Sequence, residues 1–123
     1  MHAAVSTRGR ELDIFLEEQP MTPVARAVLL KFAVEFRLSA AETRVLALAA
    51  VGMDTKNIAF ELGCGRATID TYWKRTFKKT RTGSQRSVMA ALFLFSVKVL
   101  NEAEGMRSDS APEPREESRS ACP

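Results

Sequence analysis

Apolar residues recur along this chain mainly at spacings of three and four, and no segment alternates convincingly as a strand would. The clearest stripe is Ile69, Trp73 and Phe77, four residues apart, with Asp70, Thr71, Lys74, Arg75 and Lys78 on the other faces. Ile58, Ala59 and Leu62 form a shorter stripe just before it. Gly63, Cys64 and Gly65 leave room only for a sharp corner between the two. Asp54 can cap the free amides of Lys56 and Asn57, and Gly63 sits where a left-handed residue ends a helix. Residues 54–79 therefore predict a short helix, a tight turn and a second helix starting near Arg66.

The same reading extends in both directions. ELDIFLEE predicts a short helix carrying Ile14, Phe15 and Leu16, interrupted by Pro20. Thr22 followed by Pro23 predicts the start of a helix to about Arg37. Its apolar face holds Ala25, Val28, Leu29, Phe32, Ala33 and Phe36. Ser39 and Glu42 form a capping box that opens a helix with Val45, Leu46, Leu48 and Ala49 inward, ended by Gly52. Thr82 and Gly83 break the chain, and Ser84 can cap a last helix to about Asn101. That helix is apolar on more than one side, so it is expected either to be central or to be covered by a second molecule. The competing inner partner for it is the helix with Val28, Phe32 and Phe36. The fold class expected is all-α, with residues 1 to about 9 disordered.

Charge turns this outline into a functional expectation. The net charge of +3 over 123 residues is modest but uneven. Arg66, Lys74, Arg75, Lys78, Lys79, Arg81 and Arg86 cluster on the second helix of the pair and just beyond it, with Asp70 the acid among them. Glu102, Glu104, Asp109, Glu113, Glu116 and Glu117 make the C-terminal segment acidic, and APEPREESRS lacks the apolar surface to fold. A helix, a corner and a basic second helix form the helix-turn-helix that places one helix in the major groove. The alternative, a merely solvated basic face, is outweighed by that context.

The sequence speaks against other classes. The apolar fraction of 46% suffices for a single core with tails. Cys64 and Cys122 form neither a metal spacing nor a disulfide framework, and Cys64 is expected to be a small buried apolar residue. The lone histidine is His2, so neither a zinc site nor a catalytic base is expected, and no cofactor is implied. ALFLFSVKVL is too short for a membrane span and contains Lys98. The N-terminus lacks the apolar core of a signal peptide. Trp73 and Phe77 are expected in the core rather than as a cofactor platform.

Residues 38–93 resemble the DNA-binding domain of the LuxR/GerE/FixJ family of bacterial transcription regulators. Leu38, Ser39, Glu42, Val45 and Leu46 match its opening pattern. Gly52, Lys56, Asn57, Ile58, Ala59, Leu62 and Gly63 fill or approximate the middle, and Thr68, Ile69, Tyr72, Lys78, Lys79 and Ser84 match the end in part. The resemblance implies a four-helix domain whose third helix reads the major groove and whose fourth mediates dimerisation. The chain departs from the pattern at four places. Gly65 stands for Ser or Thr, Tyr72-Trp73 for His-Val, Thr80-Arg81 for Leu-Gly, and Asp70 for a base-reading or phosphate-contacting residue.

The domain organisation expected is an N-terminal tail and helical extension over 1–37, the DNA-binding domain over 38–101 and a disordered acidic tail over 102–123. The extension is too short for an input module. The protein is expected to be a sequence-specific regulator in the bacterial cytoplasm, nucleoid-associated, acting as a homodimer on double-stranded DNA, with no enzymatic activity. RNA polymerase or another regulator is a further candidate partner. Asp70, Thr71 and Lys74 are expected to read base edges. Lys56, Arg66, Thr68, Tyr72, Arg75, Lys78 and Lys79 are expected to engage phosphates. Val88, Leu92, Phe95 and Val99 are the expected dimer stripe. The alternative is an interaction module that pairs through the last helix with another regulator and titrates it. A sigma-factor region with the same motif is weaker, since no other sigma region accompanies it.

Overall fold

Four of the predicted helix starts are built by the side chain that the sequence offers for them. In the structure, a computed structural model that describes residues 11–110 and the side chains of 11–105, α1 covers 11–17. It is followed by α2 (Pro23–Glu35), α3 (Ala40–Ala50), α4 (Thr55–Leu62), α5 (Arg66–Thr80) and α6 (Gln85–Ser110). Thr22 Oγ1 accepts from the Ala25 amide at 3.1 Å, with Pro23 in the first turn of α2. At α3 the capping box is complete: Ser39 Oγ accepts from the Glu42 amide at 3.1 Å, and Glu42 Oε1 accepts from the Ser39 amide at 2.9 Å. Asp54 caps α4 through the Asn57 amide at 2.9 Å. Ser84 does the same for α6 through the Ser87 amide at 3.1 Å. Each such cap contributes about 1 kcal/mol. The described residues contain no strand.

One core joins these helices. Leu16 of α1, Leu29 and Phe32 of α2, Val45 to Leu48 of α3, Ile58 of α4, Ile69 and Trp73 of α5 and Val88 of α6 are all buried in it. α3 packs on α2, α4 and α5, while α6 lies against α2 and α5. The helical extension is thus no separate appendage. Phe32 of α2 sits between Phe36, at 4.7 Å between ring centroids, and Phe95 of α6, at 5.4 Å edge-on.

Two boundaries differ from expectation. α2 ends at Glu35, with Phe36 as its cap and Arg37 in the left-handed region at φ 57°. α6 does not stop near Asn101 but continues to Ser110, through residues assigned to the acidic tail. Glu102, Ala103 and Glu104 are good helix formers and carry an established helix forward. The disorder expected for residues 1 to about 9 and for 111–123 lies outside the described residues.

Candidate nucleic-acid interface

The turn between α4 and α5 is made by backbone that only a few residues tolerate. Gly63 adopts φ 69° and ψ 35° and donates its amide to Phe60 O at 3.2 Å. Glycine takes this left-handed conformation without the steric cost that a Cβ brings. The Cys64 amide then closes onto Ala59 O at 3.0 Å. Cys64 is half-buried rather than buried, and is a free thiol packed against the core. Gly65 is the N-cap of α5 and has no side chain to bond with, so the first amides of that helix carry no side-chain cap.

α5 has two opposed faces. Ile69, Trp73, Thr76 and Thr80 are buried at steps of four, three and four. The two threonines were not expected in the core. Their hydroxyls are satisfied inside the helix, Thr76 Oγ1 donating to Tyr72 O at 2.9 Å and Thr80 Oγ1 to Thr76 O at 2.8 Å. Trp73 lies in the core as expected and stacks on half-buried Phe77 at 5.8 Å between ring centroids. Asp70, Thr71, Lys74, Arg75 and Lys78 are exposed on the opposite side. The three residues expected to read bases therefore share one outward face. Thr71 Oγ1 donates to Ala67 O at 3.0 Å, which leaves the oxygen lone pairs and the methyl free to face outward.

The expected phosphate ligands divide into three groups. Lys56 on α4 and Arg66, Thr68, Arg75 and Lys78 on α5 are exposed. Tyr72 is half-buried and packs against the core. Lys79 is engaged elsewhere: its Nζ donates to Glu42 Oε1 at 2.7 Å and to Arg37 O at 3.0 Å. Glu42 is 2% exposed at its side chain and Lys79 35%. A carboxylate drawn that far from water holds the ammonium more strongly than a surface pair would. Lys79 thereby pins the end of α5 to the turn between α2 and α3.

The expected dimer stripe is likewise taken up within the chain. Val88 is fully buried, Leu92 and Phe95 pack against the core, and Val99 is half-buried. The reason is α2, whose Phe32 meets Phe95 from below. The large apolar residues that α6 leaves in water are Phe93, Leu94, Val97 and Leu100.

Within the described residues no three His, Cys, Asp or Glu side chains group as metal ligands, and no helix is long and apolar enough to cross a membrane. The fold and the two-faced α5 define a helix-turn-helix domain. The family model for "Bacterial regulatory proteins, luxR family" matches residues 37–92. That segment, a little under half of the chain, is similar to the LuxR-type DNA-binding domain of bacterial regulatory proteins. No curated protein and no solved structure matches the chain significantly.

Proposed function

We propose that this protein is a sequence-specific transcription regulator that lays α5 in the major groove and acts as a homodimer in the bacterial cytoplasm. The observation that carries this is the outer face of α5. Asp70, Thr71 and Lys74 share it with Arg75 and Lys78, while Ile69 and Trp73 anchor the opposite side in the core. An anchored helix holds its side chains in a fixed register, which base reading requires. Aspartate accepts from cytosine N4, threonine touches a thymine methyl and lysine binds guanine. Lys56, Arg66, Thr68, Tyr72, Arg75 and Lys78 supply the surrounding phosphate contacts. Lys79 has its own work in holding α5 to α3.

A gel shift on random duplex DNA at rising salt tests the reading. The affinity should fall log-linearly with salt, with a slope of about 0.9 per phosphate contact. Absence of binding at low salt removes it. The exposed apolar end of α6 favours a second reading, in which the chain pairs with another regulator and titrates it. A titrating module would bind that regulator and show no DNA affinity of its own.

A further inference from the structure

Two grooves are lined by both α2 and α6, and they differ in chemistry. The smaller, about 440 Å³, has Lys31 and Glu35 of α2 and Lys98 and Glu102 of α6 around an apolar floor. Charged walls of that kind keep their water. The larger, about 950 Å³, lies where α2 begins and α3 ends. Fifteen residues line it, and none of them carries a charge. The two side-chain hydroxyls among them are already engaged. Thr22 Oγ1 accepts from the Ala25 amide at 3.1 Å, and Ser96 Oγ donates to Phe93 O at 2.6 Å.

The lining limits what fits. A charged group placed against these walls would lose water and find no partner, which costs far more than the burial of apolar surface returns. An apolar group loses nothing there. Val24, Phe93 and Leu100 form open apolar lips, 57%, 65% and 48% exposed. Met21 and Met89 stand half-buried in the walls, and thioether side chains adapt to the shape of what they touch. Small organic molecules occupy sites of about 300–1,000 Å³, a range that includes this groove. A stable protein partner spreads over about 20–30 residues a side, more than these walls offer.

We infer that this groove is a binding site for a neutral, apolar small molecule, a hydrocarbon or aromatic skeleton without a charged group. Its occupant touches α2, the end of α3 and α6 at once, and so fastens the helical extension to the helix-turn-helix domain. Met21, Val24 and Val28 on one wall and Phe93, Ser96 and Leu100 on the other lie outside residues 37–92. The site is therefore built by what this chain adds to the matched segment. No residue of α5 lines it, so it is separate from the proposed DNA face.

Three fluorescent probes with one ring system test the inference: neutral pyrenemethanol, anionic pyrenecarboxylate and cationic pyrenemethylammonium, each titrated with the full-length chain. The neutral probe should bind with half-saturation at roughly 100 μM protein or below. It should bind roughly tenfold or more tightly than either charged relative. It should also raise the melting temperature of the wild type, since it binds the folded chain alone. Ala25→Phe and Ser96→Phe each place a ring in the groove, one from α2 and one from α6. Each should weaken the neutral probe by roughly tenfold or more while the melting temperature without probe stays within a few degrees. Val34→Phe, in the charged groove, should leave binding unchanged. Equal binding of all three probes overturns the neutral ligand class. Neutral binding that survives both filling variants means an adventitious additive only and overturns the site. No binding of any probe overturns a small-molecule site and leaves the groove to a larger apolar partner. The gel shift judges DNA binding separately, because a filled groove leaves α5 untouched.

Discussion

Lys79 Nζ stands 2.7 Å from Glu42 Oε1, and it is the lysine, not the carboxylate, that keeps access to water. Glu42 also accepts from the Ser39 amide, so one buried side chain closes the N-terminus of α3 and holds the last turn of α5. The orientation of α5 thus depends on a carboxylate that a surface reading of the sequence would leave at a helix cap.

Neighbouring lysines should therefore behave differently. Lys79→Ala leaves Glu42 without its charged partner and should lower unfolding stability by about 1.5–3 kcal/mol. Lys78→Ala, on an exposed position, should change stability by no more than about 0.5 kcal/mol. It should reduce the salt dependence of DNA binding by about one unit, equally on all sequences. Urea unfolding together with salt titration separates the two. Equal stability of both variants with equal loss of binding would return Lys79 to the phosphate contacts.

The contrast shows how far the sequence is legible. Caps at Thr22, Ser39, Asp54 and Ser84 could be read because each cap and its amide lie within three residues. The inner stripe of α5 could be read because Ile69 and Trp73 are the large apolar residues among charged ones. Lys79 could not, since its partner is 37 positions away and only the packing of α3 on α5 brings them together. Nor could the phase of α6, which has apolar residues all round. Once α2 lies on one side of it, Phe95 is inward and Phe93 outward. Thr76 and Thr80 look polar in the sequence, but they bury easily because their hydroxyls bond to carbonyls of the same helix.

Trp73 carries a second consequence. Its ring is 2% exposed, and its Nε1 is buried with no hydrogen-bond partner. An unpaired buried donor costs about 1–3 kcal/mol. Trp73→Ala should lose about 3–5 kcal/mol through lost burial and a cavity. Trp73→Phe keeps an aromatic ring for Phe77 to stack on and removes the unpaired N–H, so it should cost well under half as much. Denaturant midpoints decide this. A phenylalanine variant as unstable as the alanine variant would mean that the indole N–H is satisfied in solution.

The base reading proposed for α5 has a cationic and an anionic part. Lys74→Ala should relax preference at one position and cost about 1–3 kcal/mol on the best site. Asp70→Asn should do something less usual. If α5 approaches phosphates as proposed, the change removes an acid from that face, so binding to random DNA should strengthen. If Asp70 accepts from cytosine N4, preference at that position should fall at the same time. A selection experiment on randomised duplexes reads both effects. Unchanged binding to random DNA on removal of the acid would show that Asp70 does not face the phosphates.

Arg81 occupies a backbone position that favours glycine. It caps the C-terminus of α5 at φ 57° and ψ 46°, where the family pattern has glycine. A residue with a Cβ in this conformation costs about 1–2 kcal/mol. Part of that would be offset by the greater freedom of glycine in the unfolded chain. Arg81→Gly should therefore gain about 0.5–1 kcal/mol. The same change removes an exposed cation next to Lys78 and should weaken binding to random DNA, lowering the salt slope by about one if Arg81 meets a phosphate. Arg81→Asn loses the same charge, yet asparagine tolerates the left-handed region less well than glycine. Its DNA binding should match that of the glycine variant, and its stability should fall between glycine and arginine. Stability that rises while affinity drops would mark Arg81 as a residue kept for its charge at the expense of the fold. A glycine variant that is less stable than the wild type would instead mean that the arginine side chain makes contacts worth more than the strain of its backbone.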